Sequence, residues 1–249
     1  MKRAVLAGLF GIGLCGCSVI GEPDEIILRV AADTSSAPIV AAALNEYEAA
    51  TPGVYFAAVP GGADTALTAL QAGEVDFALL FLPADANAPF QVSVGTEALV
   101  FIVHPDNPVE MLTTTQVRAI FSGRTVNWEA VGGSDSSIHV VAREDGSDAR
   151  RVFQALVLGD QQHASTAQIA TSSEQAIGIV GDDPQAIGYI TLGSLDERVR
   201  ALGLNGVLPS PQTVRDGEYT LVGQIMFVAQ AEPEGAAGEF LSWLLARDD

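Results

Sequence analysis

The stretch IILRVAADTSSAPIVAAALNEYEAATPGVYFAAVPGGADTALTALQAGEVDFALLFL, residues 26–82, decides the fold. It opens with the apolar run Ile26–Ala32, too short for a helix and bounded by Asp33-Thr34-Ser35-Ser36. That pattern reads as a buried strand ending in a polar turn. Pro38 then stands where the first turn of a helix tolerates proline, and residues 39–49 continue with alanine-rich helical composition. The order repeats, with a strand at 54–59, the loop Pro60-Gly61-Gly62-Ala63-Asp64, a helix at 65–72 and an almost wholly apolar strand at 75–82. Strands alternating with helices predict an α/β fold, a parallel sheet covered on both faces. Ligands in such sheets bind beyond the carboxyl ends of the strands. Here those ends carry Ser- or Gly-rich loops feeding helix N-termini, where unpaired N–H groups and the helix dipole favour an anion.

Further along, a strand at about 98–104 ends in the turn Pro105-Asp106-Asn107-Pro108. Thr113-Thr114-Thr115 can cap a helix at 116–121 that Ser122-Gly123 stops, and residues 138–143 make another strand. The loop Glu144-Asp145-Gly146-Ser147-Asp148 leads into a helix at 149–158, a third strand, polar loop and helix. A helix at 174–181, a strand at Ala186–Thr191 and one or two strands at 219–229 follow. In the last helix, 238–247, Phe240, Leu241, Trp243 and Leu244 form a core stripe.

Composition narrows the possibilities. With 48% hydrophobic and 17% charged residues, the 249-residue chain lies far from the disordered class and can bury a large core. Its formal charge of −19 argues against nucleic acid, because no basic stripe exists to displace counterions from phosphates. Lys2 is the only lysine, so the later cations are all arginines, whose planar fork suits bidentate capture of carboxylate or phosphate. At the N-terminus, Lys2-Arg3, the apolar run 4–14 and small residues describe a secretory signal over 1–16, too short for a membrane span. Leu14-Cys15-Gly16-Cys17 resembles a bacterial lipobox, which would make Cys17 a lipidated anchor, residues 17–25 a tether, and no disulfide partner remains for it.

The middle of the chain carries a more specific pattern. His104-Pro105-Asp106-Asn107-Pro108, Leu112-Thr113, Ile120-Phe121-Ser122-Gly123, Asn127-Trp128 and Val131-Gly132-Gly133 come in a fixed order. Arg143-Glu144-Asp145-Gly146-Ser147, Ala186-Ile187-Gly188-Tyr189 and Asp216-Gly217-x-Tyr219-x-Leu221 follow. Together they resemble the phosphate-binding proteins of bacterial ABC importers, over roughly residues 26–245. The resemblance implies the type II periplasmic-binding-protein architecture: two α/β lobes joined by crossover strands. Lobe 1 would take residues 26–100 and 206–249 and lobe 2 residues 101–205. It implies a small anion held in the interlobe cleft by Ser35 and Ser36 on the first loop, Ser36 matching the hydroxyl that touches phosphate, and by Gly62 and Ala63 on the second. From the other lobe come Arg143, Ser147 and the N–H groups of Asp148 and Ala149. From the residues alone, Arg143 could equally pair with Glu144 or Asp145.

The chain departs from the family in its loops. Gly62-Ala63-Asp64 stands where Gly-Ser-Gly is usual, Asp148-Ala149 replaces Gly and Thr, and Phe81-Leu82 replaces a polar pair. A full negative charge about 4 Å from a buried anion is costly in a cleft of low effective dielectric. Asp33, Asp64 and Asp148 must therefore point away, be paired, or accept a proton from the ligand, which phosphate can supply and sulfate cannot. The expected function is a lipid-anchored, monomeric solute-binding protein outside the cytoplasmic membrane that delivers phosphate or a related oxyanion to an inner-membrane ABC permease. The alternative is a binding-fold lipoprotein whose altered cleft serves another ligand, sensing or protein interaction. An enzyme lacks support: His104, His139 and His163 have no metal-ligand spacing, no Gly-x-Ser-x-Gly elbow or Walker sequence occurs, and no cofactor or metal is expected.

Overall fold

The computed structural model describes residues 25–33, 35–82 and 90–247. The signal, Cys17, the tether up to residue 24 and Thr34 lie outside them. The elements in the first part are β1 (Ile26–Ala32), α1 (Ala37–Ala50), β2 (Val54–Pro60), α2 (Ala63–Ala72), β3 (Phe77–Leu82) and β4 (Phe90–Val103). Then come β5 (Met111–Leu112), α3 (Thr114–Phe121), β6 (His139–Arg143), α4 (Asp148–Phe153), β7 (Gln168–Ala170), α5 (Ser173–Asp182) and β8 (Ala186–Thr191). The chain closes with β9 (Arg200–Ala201), β10 (Gly203–Leu204), α6 (Pro211–Arg215), β11 (Val222–Ala229) and α7 (Gly235–Leu245).

One path of hydrogen-bonded strands runs β2-β1-β3-β11-β4-β8-β6-β7, with β9 also on β4. The β1–β2, β1–β3, β6–β8 and β6–β7 pairs are parallel, as strand-loop-helix units require. β11 and β4 are the antiparallel members, and β4 carries the chain from one lobe to the other. Its Phe90–Ala98 part pairs with β11, whereas Leu99 to Val103 pair with β8. The return crossing lies beside it, where Leu99 N–H donates to Leu221 O at 2.9 Å and the buried Tyr219 hydroxyl donates to Leu99 O at 2.9 Å. Between Ile225 and Met226 the register of this pair shifts, because β4 carries one extra residue, Val94, between the partners Ser93 and Gly95. The architecture is thus the type II periplasmic-binding-protein fold, two α/β lobes joined by crossover strands.

Each lobe has its own core. In the first, Val30, Phe77 and Phe227 on one face of the sheet pack against Leu44 and Tyr47 of α1 and Phe240 of α7. Phe77 and Phe227 stack with ring centroids 4.6 Å apart. The opposite face, Ala31, Ala78, Leu80 and Val228, is covered by Ala66 and Leu70 of α2. In the second lobe Phe101, Phe121, Phe153 and Tyr189 meet between β4, β8, α3 and α4, and Val207, Val214, Tyr219 and Leu221 join this second core.

Several expectations shift in extent. The strand expected from 98 begins at Phe90, because residues 90–96 are partly exposed and carry Gln91, Ser93 and Thr96. The helix expected over 149–158 is α-helical only to Phe153 and continues as a π-helical turn, Gln154–Leu158. Thr113 caps α3 through a full capping box with Gln116, and Gly123 takes φ 75° just past its end, as the sequence signals predict.

Candidate anion-binding cleft

Three loops at the carboxyl ends of parallel strands meet between the lobes. Asp33, Ser35 and Ser36 follow β1 and residues 61–62 follow β2 in the first lobe, and residues 144–147 follow β6 in the second. Ser35 is fully buried. Its Oγ accepts hydrogen bonds from Ala149 N–H at 3.2 Å and from Arg143 Nη1 at 3.4 Å, both from the opposite lobe. Its N–H donates to Asp33 Oδ1 at 2.6 Å and its carbonyl accepts the Thr191 hydroxyl at the end of β8. Ser36 is also buried but caps the start of α1 without a side-chain cap bond; its hydroxyl donates to Asp33 O at 3.4 Å. Of the two serines, Ser35 brings its hydroxyl to the second lobe's donors.

Arg143 ends the fully buried part of β6. Its guanidinium serves two sets of partners. Nε and Nη2 fork onto Glu144 at 3.0 and 3.1 Å, while Nη1 reaches Ser35 Oγ and, at 3.3 Å, Ser173 Oγ. Asp145 is engaged instead by Arg150 at 2.9 Å. The strand end is fixed by Arg143 N–H donating to the Tyr189 hydroxyl at 3.1 Å and Arg143 O accepting from Arg150 Nη1 at 2.6 Å. Ser147 caps α4, its buried Oγ accepting Arg150 N–H at 3.1 Å.

The second loop closes the cleft by backbone approach. A Cβ on Gly62 would lie 2.2 Å from Gly146 O of the other lobe, so only glycine lets the two loops touch. Ala63 contributes its N–H, which donates to Asp148 Oδ1 at 3.0 Å across the cleft. Asp148 is fully buried and its Oδ2 has no hydrogen-bond partner. Burial pushes its carboxyl well above the usual carboxylate range and the Asp33 charge adds to that; the N–H groups of Ala63 and Phe81 and the Arg151 charge oppose it. The three acidic residues thus take different routes. Asp64 points out to solvent and pairs with Arg151 across the lobes at 3.3 Å, Asp33 is buried against Ser35 N–H, and Asp148 is buried with its carboxyl raised well above the usual range.

Of the eight expected residues, Ser35, Ser36, Gly62 and Ser147 lie on the three facing loops, Arg143 ends β6, and Ala63, Asp148 and Ala149 open α2 and α4 next to them; Ser36 and Ser147 stand in helix capping positions. Ser173, Thr191 and Tyr189 are site residues that sequence reasoning does not single out. Ser173 stands at the start of α5 beyond β7, and Thr191 is the polar terminus of a wholly buried strand, the same signature that marks the loop after β1. Among the described residues no group of His, Cys, Asp or Glu could hold a metal ion, and no helix is long and apolar enough to cross a membrane.

Relatives place the arrangement in a family. The chain matches the PBP superfamily domain over residues 20–248. It is 31% identical over 228 residues to the phosphate-binding protein PstS of Bacillus subtilis, spanning 89% of this chain and 76% of that protein. Its fold resembles a crystal structure from Clostridium perfringens described as a phosphate ABC transporter substrate-binding protein with bound phosphate. There the TM-score is 0.81 and the identity 26%, over 89% of this chain and 94% of that one. An ABC-type phosphate transport receptor from Vibrio cholerae gives a TM-score of 0.72 at 25% identity, over the same shares of both chains. With its two lobes, its crossover strands and a cleft lined by serine, arginine and backbone N–H groups, the chain belongs to the PBP superfamily and, within it, to the family of phosphate-binding proteins.

Proposed function

We propose that this protein captures phosphate or a closely related oxyanion between its lobes and hands it to an ABC permease. It does so on the outer side of the cytoplasmic membrane, as a monomer tethered through lipid on Cys17. The observation that carries the reading is the convergence at Ser35. A hydroxyl from one lobe meets a buried guanidinium N–H and a backbone N–H from the other, the donor set that a tetrahedral oxyanion spans. Ser173 Oγ adds to it on the same Arg143 nitrogen. Each lobe holds part of the set, so a bound anion links the lobes and stabilises the form in which they meet.

Titration calorimetry on residues 18–249 with phosphate, arsenate, sulfate, molybdate and tungstate tests the reading. Heat with phosphate that Arg143→Ala abolishes is the expected result; no heat with any of the five would sink it. The reading of a cleft retooled for another ligand draws on Ala63, Leu82 and Ala149, apolar residues where the family carries polar ones.

A further inference from the structure

A second cavity, of about 740 Å³, lies at the crossing between the lobes and shares no residue with the anion cleft. Its volume is that of a small-molecule site. The walls are largely apolar and come from both lobes: Ile39 and Ala43 of α1, Leu244 of α7, Val214 of α6 and Leu195 beyond β8. From the crossover strand β4 the cavity is lined by Glu97, which is only 5% exposed. Glu97 Oε1 accepts Ala98 N–H at 2.8 Å, and the N–H groups of Gly193 and Leu192, in the 3-10 turn Leu192–Ser194 after β8, also donate to the carboxyl. A Cβ on Gly193 would stand 2.9 Å from Glu97 Oε2, so glycine there lets the carboxyl sit against the turn.

A buried carboxylate is costly unless a cation meets it. Among the described residues no arginine or histidine forms an ion pair with Glu97. Two arginines line the same cavity, but their charges are drawn elsewhere. Arg247 Nη1 pairs with Glu46 at 2.9 Å and its guanidinium lies over Trp243, while the exposed Arg215 donates to Gln212 Oε1 at 3.3 Å. The N–H groups offset only part of the cost, since burial raises the Glu97 carboxyl above its usual value against them. The geometry points to a binding site for a small organic amine, its ammonium on Glu97 and its apolar body against α1, α6 and α7, that favours the form in which the lobes meet. Thr191, which opens the turn held by Glu97, donates to Ser35 O, so the same turn is tied to the first loop of the anion cleft. An occupant of the cavity touches both lobes in this form. Phosphate and the amine therefore tighten each other by the same factor.

The amine site stands apart from the oxyanion-binding reading, and only its coupling to phosphate rests on that reading. The test titrates 3-phenylpropylamine, 3-phenylpropanol and 3-phenylpropanoate into isotope-labelled residues 18–249, with and without saturating phosphate, and follows backbone amide signals by NMR. The expected result is that the amine shifts the signals of Ala98, Gly193 and Leu195 and binds roughly 10-fold or more tightly than the alcohol or the acid. Saturating phosphate should tighten the amine about 5-fold. Glu97→Gln should erase the lead of the amine over the alcohol. Ala43→Phe fills the cavity from α1 without replacing Glu97, and should abolish binding of all three. Equal affinity for amine and alcohol in the wild type, tightest binding by the acid, or full amine binding in Ala43→Phe would overturn the site. Amine affinity unchanged by phosphate, in protein that binds phosphate, would overturn its preference for the joined lobes. Protein that binds the amine at Glu97 but no oxyanion would sink the oxyanion reading and leave the amine site standing.

Discussion

Ser35 and Ser36 are adjacent, equally buried and chemically identical, yet only the first reaches across the cleft. Replacing Ser35 by alanine removes one acceptor shared by Arg143 and Ala149 N–H and one hydroxyl from the anion's surroundings. Its expected cost is about 1 kcal/mol of phosphate affinity, roughly 5-fold. Ser36→Ala should change affinity by less than about 2-fold, because its hydroxyl turns back to Asp33 O. Calorimetric titration of the two variants side by side decides, and the reverse ranking would move the contact to Ser36. Asp148 allows a second test at this scale, read from stability alone. Its carboxyl is raised in the folded protein, so above the unfolded value the folded state holds more protons than the unfolded state. Stability from this group is therefore lost as pH rises from about 4 towards the folded value. Asp148→Asn should flatten that slope, gaining on the wild type as pH increases in urea melts; parallel curves would show that Asp148 is ionised in the fold.

At the scale of elements the loops are positioned by where strands end, and here the sequence spoke clearly for some features and not for others. Ile26–Ala32 and Ala186–Thr191 were legible to the residue, because continuous apolar runs bounded by polar turns have no other reading. The first half of β4 was not, since its alternation is broken by Gly95 and its residues lie in a half-exposed sheet. The π-helical turn after α4 leaves no mark in composition. The site was legible as a set of loops, but the choice between neighbours such as Ser35 and Ser36 depends on loop torsions and on the other lobe, which spacing does not encode. Ser173 and Thr191 come from a part of the chain that only the folded sheet brings to β1. Gly62 illustrates a constraint of the same kind. Its φ of −67° and ψ of 177° suit any residue, so conformation does not demand glycine there. Space does, because a Cβ would sit 2.2 Å from Gly146 O. Gly62→Ala should hold the lobes apart, raising the radius of gyration in small-angle scattering with phosphate present and weakening phosphate at least 10-fold. An unchanged scattering curve and affinity would mean that the loops can slide past each other.

For the whole molecule, the acid limit follows from a group outside the cleft that the fold buries in one protonation state. His163 lies against Phe153 and Tyr189 in the second lobe, its Nε2 3.4 Å from the Tyr189 hydroxyl whose oxygen also accepts Arg143 N–H. Burial, followed by the nearby Arg150 charge, lowers its value from 6.5 to about 4, against a smaller opposite pull from Asp145. In the unfolded chain the same imidazole takes up its proton near 6.5. Between about 6.5 and 4 the unfolded state therefore binds more protons, and stability falls as pH drops through that window. The trend runs opposite to that from Asp148, so as pH falls from 6.5 towards 4 the two contributions oppose one another. The link through Tyr189 to the backbone of Arg143 also joins this core to the anion site, so protonation of His163 should loosen the strand end that carries the guanidinium. His163→Phe keeps the ring in the Phe153–Tyr189 cluster and removes the titration. Thermal melts from pH 7.5 to 4.5 should show a shallower fall for this variant, and its phosphate affinity should hold better than that of the wild type at the acid end. Melting curves that fall in parallel would assign the acid sensitivity to the carboxylates instead.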